Sequence, residues 1–432
     1  MSNVNDFEIK NGVLVKYHGN DTEVVIPEGV TGIGKYAFCN CNSLTNITIP
    51  PSVTEIGGRA FSCCRSLKNI TIPEGVRKIG NSAFCNCNSL TSITIPEGVT
   101  KIGEWAFYGC SSLTSITIPE GVRKIGNSAF YGCNSLTNIT IPENVTEIGD
   151  SAFYGCNSLT SITIPEGVTE IGEDAFYYCD SLTSITIPEG VTKIGKGAFY
   201  HCHSLKNITI PEGVTKIGYS AFYGCSSLTN ITIPESVTEI GNCAFGGCSS
   251  LKNINISESV EKIGGGAFSH CSSLTSITIP EGVTEIGERA FDGCPLLERV
   301  VFLGDTKCGK AAFKGCNALK TVIAPNTKVC HSAAYYRGFL EAFEQYDKKK
   351  RASYIKGMLS HQDIAIEALS DGIVSYEGFK SFIESTKPEG ELFDFLVKFT
   401  TSQGKTELTA ILLEYGNSNG NKKSPIDDLK WD

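Results

Sequence analysis

Residues 90–112 read LTSITIPEGVTKIGEWAFYGCSS, and near-copies of this phrase begin again at Leu113, Leu136, Leu159 and onward. Pro27, Pro50 and Pro73 open a series that runs at intervals of 23 to Pro234; Ser257 takes the next place and Pro280 resumes it. Within one copy the apolar positions are Leu113, Ile116, Ile118, Val122, Ile125, Ala129, Phe130 and Cys133, and all eight recur in nearly every other copy. A 23-residue unit has no interior in which to hide eight apolar side chains. Units laid one upon another bury them as continuous columns, which is the logic of a solenoid.

Inside each unit, Leu, Ile and Ile alternate with polar residues at the end of LTSITIP, the pattern of a short strand with one face inward. Pro119 has no N–H to extend a parallel ladder, and Glu120-Gly121 supplies a turn. Val122 and Ile125 anchor the crossing that follows, Gly126 breaks it, and Ala129-Phe130 with Cys133 predict one helical or 3₁₀ turn before the next strand. A period in the range 20–29 with an L-x-x-L-x-L strand is the signature of a leucine-rich repeat. The predicted fold is a leucine-rich repeat solenoid, mostly β strands with short turns or 3₁₀ segments in a right-handed coil, followed by a small C-terminal all-α unit. Strands about 4.8 Å apart give the stack an expected length of roughly 60 Å.

The units read L-x-x-I-x-I-P-x-x-V-x-x-I-G-x-x-A-F-x-x-C from about residue 21 to 325. This pattern resembles the BspA-type leucine-rich repeat family, because several residue types, and not leucine alone, hold their spacing. The resemblance implies an interaction module without catalysis, of a kind often secreted or attached to a cell surface.

The ends depart from the period. Alternating apolar residues flank Asn11-Gly12 in FEIKNGVLVKY, a strong hairpin signal, so residues 1–26 are expected to form an N-terminal cap. Residues 27–330 hold about 13 turns, the last ones irregular: Leu303 stands where proline is expected and Ala312-Phe313 arrives one residue early. After Cys330 the composition turns to helix formers, and residues 331–416 are expected to be a helical cap or interaction domain, with a disordered tail at 417–432.

Composition limits function. Lys plus Arg number 37 against 46 Asp plus Glu, a net charge of −9 that gives no basic field for nucleic acid. No window is apolar enough to span a membrane. The opening MSNVNDFEIKNG lacks a charged segment followed by an apolar one, and most of the nineteen cysteines recur with the repeat. Reduced thiols and a cytoplasmic protein are therefore expected, with the cell surface or secretion as the alternative implied by the family. No phosphate loop, G-x-S-x-G elbow or H-E-x-x-H is present, and neither enzyme activity nor a cofactor is expected.

Four rows hold the candidate chemistry. Cys41, Cys64, Cys87, Cys110, Cys133 and their successors to Cys294 occupy one column and are expected to be buried, reduced and inert. Cys39, Cys63 and Cys85 lie beside it without four converging ligands, and His201 and His203 flank the column's Cys202 with side chains expected to point elsewhere, as surface histidines that do not converge, so no metal site is expected. On the outward strand face stand Thr117, Thr140, Thr163 and Thr186, with Asn138 in the adjoining row; they are candidates for a polar binding platform. Tyr108, Tyr131, Tyr154, Tyr177, Tyr200 and Tyr223 follow the core Phe on six consecutive turns and are joined by Tyr178. Earlier and later turns carry other residues there, so the tyrosine stripe is not demanded by the fold and is a candidate interface. Finally, Glu74, Glu97, Glu120 and their successors form an acidic row that Lys78, Lys101, Lys124, Lys193 and Lys216 are expected to relieve.

These readings predict a non-enzymatic scaffold that presents a repeat surface to an unidentified protein or glycan. Alternatively the chain is a structural or adhesion-type surface protein that self-associates. A monomer is expected.

Overall fold

The computed structural model describes residues 4–323 and, beyond them, residues 383, 393–394, 396–397, 400–401, 409–410 and 412–415. The chain divides into two compact units. The first comprises Met1–Leu274, Gly287–Cys294 and Gly309–Gly315, and the second Thr275–Ile286, Pro295–Cys308 and the chain from Cys316 onward.

In the first unit every turn has three sides. Long strands such as Ser115–Thr117 pair in parallel with the equivalent strands before and after, Ile116 opposite Ile93 on one side and Ile139 on the other. The middle Ile is buried while its Ser and Thr neighbours are exposed, as alternation requires. Proline ends the strand, and the N–H of Val122 closes a turn onto the Pro119 carbonyl at 3.1 Å. The crossing then becomes a strand of its own: Lys124–Ile125 pairs in parallel with Lys101–Ile102 and Glu147–Ile148. This second ladder runs from Val13–Tyr17 to Lys262–Ile263.

Gly126 follows the short strand because turns touch there. A Cβ on it would lie 2.7 Å from the Glu104 nitrogen and 2.8 Å from the Gly103 carbonyl carbon, backbone atoms that cannot yield.

The third side differs from the sequence expectation. Residues 104–109 form consecutive turns rather than a 3₁₀ helix. Trp105 and Gly109 have φ of 52° and 69°, left-handed residues that keep the segment from winding into a helix. Every second N–H points at the next turn: Trp105 donates to Asn127 O (2.9 Å), Phe107 to Ala129 O (2.8 Å) and Gly109 to Tyr131 O (2.6 Å). The intervening N–H groups of Ala106, Tyr108 and Cys110 bond locally, to Gly103, Trp105 and Phe107. All backbone donors of the segment are thus satisfied, half of them by stacking, which a helix cannot do.

Leu113, Val122, Ile125, Ala129, Phe130 and Cys133 are fully buried, and their equivalents form columns through the unit. Successive Phe rings stack with centroids 5.2–5.5 Å apart from Phe38 to Phe199. Phe7–Lys10 and Val13–Tyr17 form an antiparallel hairpin around Asn11-Gly12, both of positive φ, and Leu14 of its second strand pairs with Ile33 of the first turn.

In the second unit Ser276–Ile279, Arg299–Phe302 and Thr321–Ile323 form a three-stranded parallel sheet. The described residues between 383 and 415 are helical, and Ile383, Phe393, Leu396, Val397 and Leu412 are buried. The remainder of the expected helical segment and the tail at 417–432 lie outside the described residues.

Candidate functional site

The cysteine column is a hydrogen-bonded ladder as well as an apolar one. Cys41, at the open start of the column, is only half-buried, but from Cys64 to Cys294 each thiol donates to the carbonyl of the Phe one turn earlier: Cys110 Sγ to Phe84 O at 3.1 Å, Cys133 to Phe107 O and Cys225 to Phe199 O at 3.2 Å. Burial, reinforced by neighbouring thiols, pushes the Cys110, Cys133 and Cys225 thiols far up, and burial alone pushes Cys156 and Cys271 up to about 12. A thiol in this state is neither nucleophile nor metal ligand.

Cys39, Cys63 and Cys85 are half-buried. Burial raises the Cys39 and Cys85 thiols. Among the described residues no group of three His, Cys, Asp or Glu is arranged to hold a metal ion.

The expectation for the acidic row needs correction. Lys78 pairs with Glu55 at 2.6 Å and Lys216 with Glu239 at 2.8 Å, while Lys124 and Lys193 pair with Glu147 and Glu170. All four glutamates belong to the short-strand row itself. The lysines project there because each precedes the buried Ile of its strand, whereas Glu74, Glu97 and Glu120 sit in the turn after proline.

The strand-face candidates Thr117, Asn138, Thr140, Thr163 and Thr186 are all exposed in parallel rows. At an earlier point on this face a shallow depression of about 400 Å³ is lined by Asn46, Thr48, Asn69 and Thr71 with Pro51 and Pro73.

The third side brings the tyrosine candidates together. Rings of Tyr108, Tyr131, Tyr154, Tyr177, Tyr200 and Tyr223 stack in sequence, with centroids 4.7, 4.3, 4.6, 4.2 and 5.0 Å apart. Tyr178 meets Tyr177 edge-on at 4.7 Å and is 37% exposed, so it stands out from the stack. Burial, then the neighbouring tyrosine, raises the hydroxyls of Tyr108, Tyr154 and Tyr177, with Tyr154 reaching about 12. Beside the stack lies a groove of about 560 Å³ lined by Tyr154, Tyr177, Tyr200, Tyr219 and Tyr223, with Asp174 and Lys196 supplying charge. Tyr219, half exposed and under the Lys196 ammonium at 5.7 Å, was not among the sequence candidates. It stands three residues before Phe222, just ahead of the left-handed Ser220, at a position where the other turns carry no tyrosine, so only the fold relates it to the stripe.

His201 and His203 also differ from expectation. Their rings face each other, His201 Nδ1 lying 2.8 Å from His203 Nε2, and His203 Nδ1 lies 3.1 Å from Asp180 Oδ1. His201 has φ of 55°, which swings its side chain over Gly224 and beside the stripe.

Parallel strands on two sides, columns of Leu, Phe and Cys within, and a 23-residue period define a leucine-rich repeat solenoid. Comparison with family models matches the BspA type leucine rich repeat region in six copies, over residues 12–136, 100–229 and 215–338. The chain belongs to that family. It is similar to a leucine-rich repeat protein from Bacteroides ovatus ATCC 8483, with 39% identity, 71% of this chain and 79% of that one covered, and a TM-score of 0.67. Similarity extends to a leucine-rich repeat protein from Eubacterium ventriosum ATCC 27560, with 28% identity, coverage of 70% and 88%, and a TM-score of 0.50. A leucine rich cell surface protein from Faecalibacterium prausnitzii A2-165 is 31% identical over 74% of this chain and 91% of its own, with a TM-score of 0.39. No curated protein matches significantly. Leucine-rich repeat proteins generally mediate protein interaction or adhesion and are typically non-enzymatic scaffolds. Among the described residues no helix is long and apolar enough to cross a membrane.

Proposed function

We propose that the chain is a non-enzymatic scaffold that binds a protein partner through the tyrosine stripe Tyr108–Tyr223 with Tyr178, and that the groove beside Tyr219 receives the partner's side chains. The observation that supports this most is the register of six half-exposed rings at 4.2–5.0 Å on consecutive turns. Cys39, Ser62 and Cys85 precede the row and Gly246, Ser269 and Asp292 follow it, so the same turn closes without an aromatic ring. Stacked tyrosines offer large, rigid area with polar edges at little cost in side-chain entropy, the qualities of an interface anchor.

The test is the triple variant Tyr131→Ser, Tyr154→Ser, Tyr177→Ser, compared with the native protein in affinity capture from its own cells. Loss of the captured partner with folding retained supports the reading. Failure of the variant to fold makes the stripe structural, and undiminished capture places binding elsewhere, first on the face of Thr117, Asn138, Thr140, Thr163 and Thr186, whose regular polar rows suit a glycan or a second copy. Light scattering distinguishes the two, because self-association gives a mass that rises with concentration. We read the chain as cytoplasmic, on a thiol ladder that works only as S–H donors; recovery of the protein from the cell surface or the medium contradicts that.

A further inference from the structure

The histidine pair carries more than its exposed position implies. Asp180 is fixed on both oxygens: Asn157 Nδ2 donates to Oδ2 at 2.9 Å, and His203 Nδ1 meets Oδ1 at 3.1 Å. A carboxylate beside Nδ1 holds the proton on that nitrogen, which leaves the Nε2 lone pair of His203 directed at His201 Nδ1, 2.8 Å away. The contact is then bridged by one proton, donated by His201. Two lone pairs directed at one shared proton, with an outer carboxylate orienting one of the rings, is the arrangement that imidazole ligands adopt around a divalent ion.

We propose that His201 and His203 form a two-imidazole site for a borderline divalent transition ion such as Ni²⁺ or Zn²⁺, oriented by Asp180. On binding, the ion takes the place of the shared proton: His201 Nδ1 loses it while His201 Nε2 takes one up from solvent, so the ring changes tautomer, no net proton is released, and both rings bind as neutral imidazoles. Nitrogens each about 2.0–2.1 Å from a tetrahedral ion stand about 3.4 Å apart, so the present separation opens by roughly half an ångström, a small rotation for the exposed His203 ring. Asp180 meets the ring nitrogen remote from His201 and stays outside the coordination sphere. No third protein ligand converges among the described residues. The ion therefore keeps positions open to water or to a group on a bound partner. The inference stands apart from the stripe's role: the site is at its edge, where His201 packs against Tyr178 and Tyr200 with centroids 5.2 and 4.5 Å away.

Neighbouring turns supply substitutions that the fold accepts. Gly132 and Gly155 occupy the position of His201, and Ser111 and Ser226 that of His203. Calorimetric titration with Ni²⁺ should give one site per native chain and at least a tenfold weaker one in His201→Gly and in His203→Ser. Asp180→Asn should weaken it by about 10- to 100-fold. Equal Ni²⁺ affinity in the native protein and in the His201→Gly, His203→Ser double variant overturns the proposal. So does a site abolished by Cys39→Ser, Cys63→Ser, Cys85→Ser and untouched by the histidine changes, or the lack of any one-to-one binding in the native protein. Capture of the protein partner is a separate readout, so failure here leaves the stripe's role as it was.

Discussion

At the scale of the residue, the fold asks two things of the chain that hydrophobicity does not express. The first is a donor in the cysteine column. Burial of these residues is legible in their period, but the S–H···O=C ladder is not, because nothing in a sequence says which carbonyl stands opposite. Replacing Cys133 by Ala removes the bond to Phe107 O and leaves a small void, an expected loss of about 1–2 kcal/mol in denaturant unfolding. The column also sets a pH dependence. A thiol whose folded pKa is raised contributes stability that is complete below its unfolded pKa, about 8.5, and is lost as pH rises toward the folded value. For Cys156 and Cys271 that window runs up to about 12. Each such thiol removes about 1.4 kcal/mol per pH unit within its window, so the column should make unfolding free energy fall steeply above pH 9. A flat profile between pH 8 and 11 contradicts the buried ladder. The second demand is left-handed backbone. It is readable before the column cysteine, where Gly109, Gly132 and Gly155 recur, and unreadable before Ala-Phe, where Trp105, Ser128 and Asp174 all take positive φ. Ser128→Gly should therefore stabilise by about 1 kcal/mol, seen as a higher denaturant midpoint.

At the scale of the element, the long strand was legible from L-x-x-I-x-I-P and the short one was not. A two-residue strand with one buried Ile has no period to detect; it exists because the next turn repeats it. The third side was misread for the same reason, since its alternating N–H groups find their acceptors 22 residues away, as Phe107 does at Ala129. Close approach of the turns makes Gly126→Ala costly, an expected loss of about 3 kcal/mol because the Cβ meets backbone and no side chain can move aside. The lysine–glutamate pairs on the short strands are exposed, and Lys78→Ala should change stability by under about 1 kcal/mol. The candidate site is a consequence of the same side. Its tyrosines were legible as a stripe, whereas Tyr219 joins them only through the packing of successive turns, and the facing histidines depend on the left-handed backbone of His201, which residue identity alone does not report.

At the scale of the molecule, each turn of the first unit is stabilised by its neighbours, so energy is distributed as a sum of turns and interfaces. Phe153→Ala should cost about 3–5 kcal/mol, and its effect on hydrogen exchange should be felt in the turns of Phe130 and Phe176 before distant ones. Function follows the same logic, since only stacking sets tyrosines from separate units into register. The most direct test of that stacking is a distance. Spin labels carried on unnatural residues in place of Thr71 and Thr186, five turns apart in the sequence, should be separated by about 24 Å in pulsed electron paramagnetic resonance, five strand spacings of about 4.8 Å. A distribution centred well beyond about 40 Å would mean that the intervening units are not laid on one another, and would contradict the account.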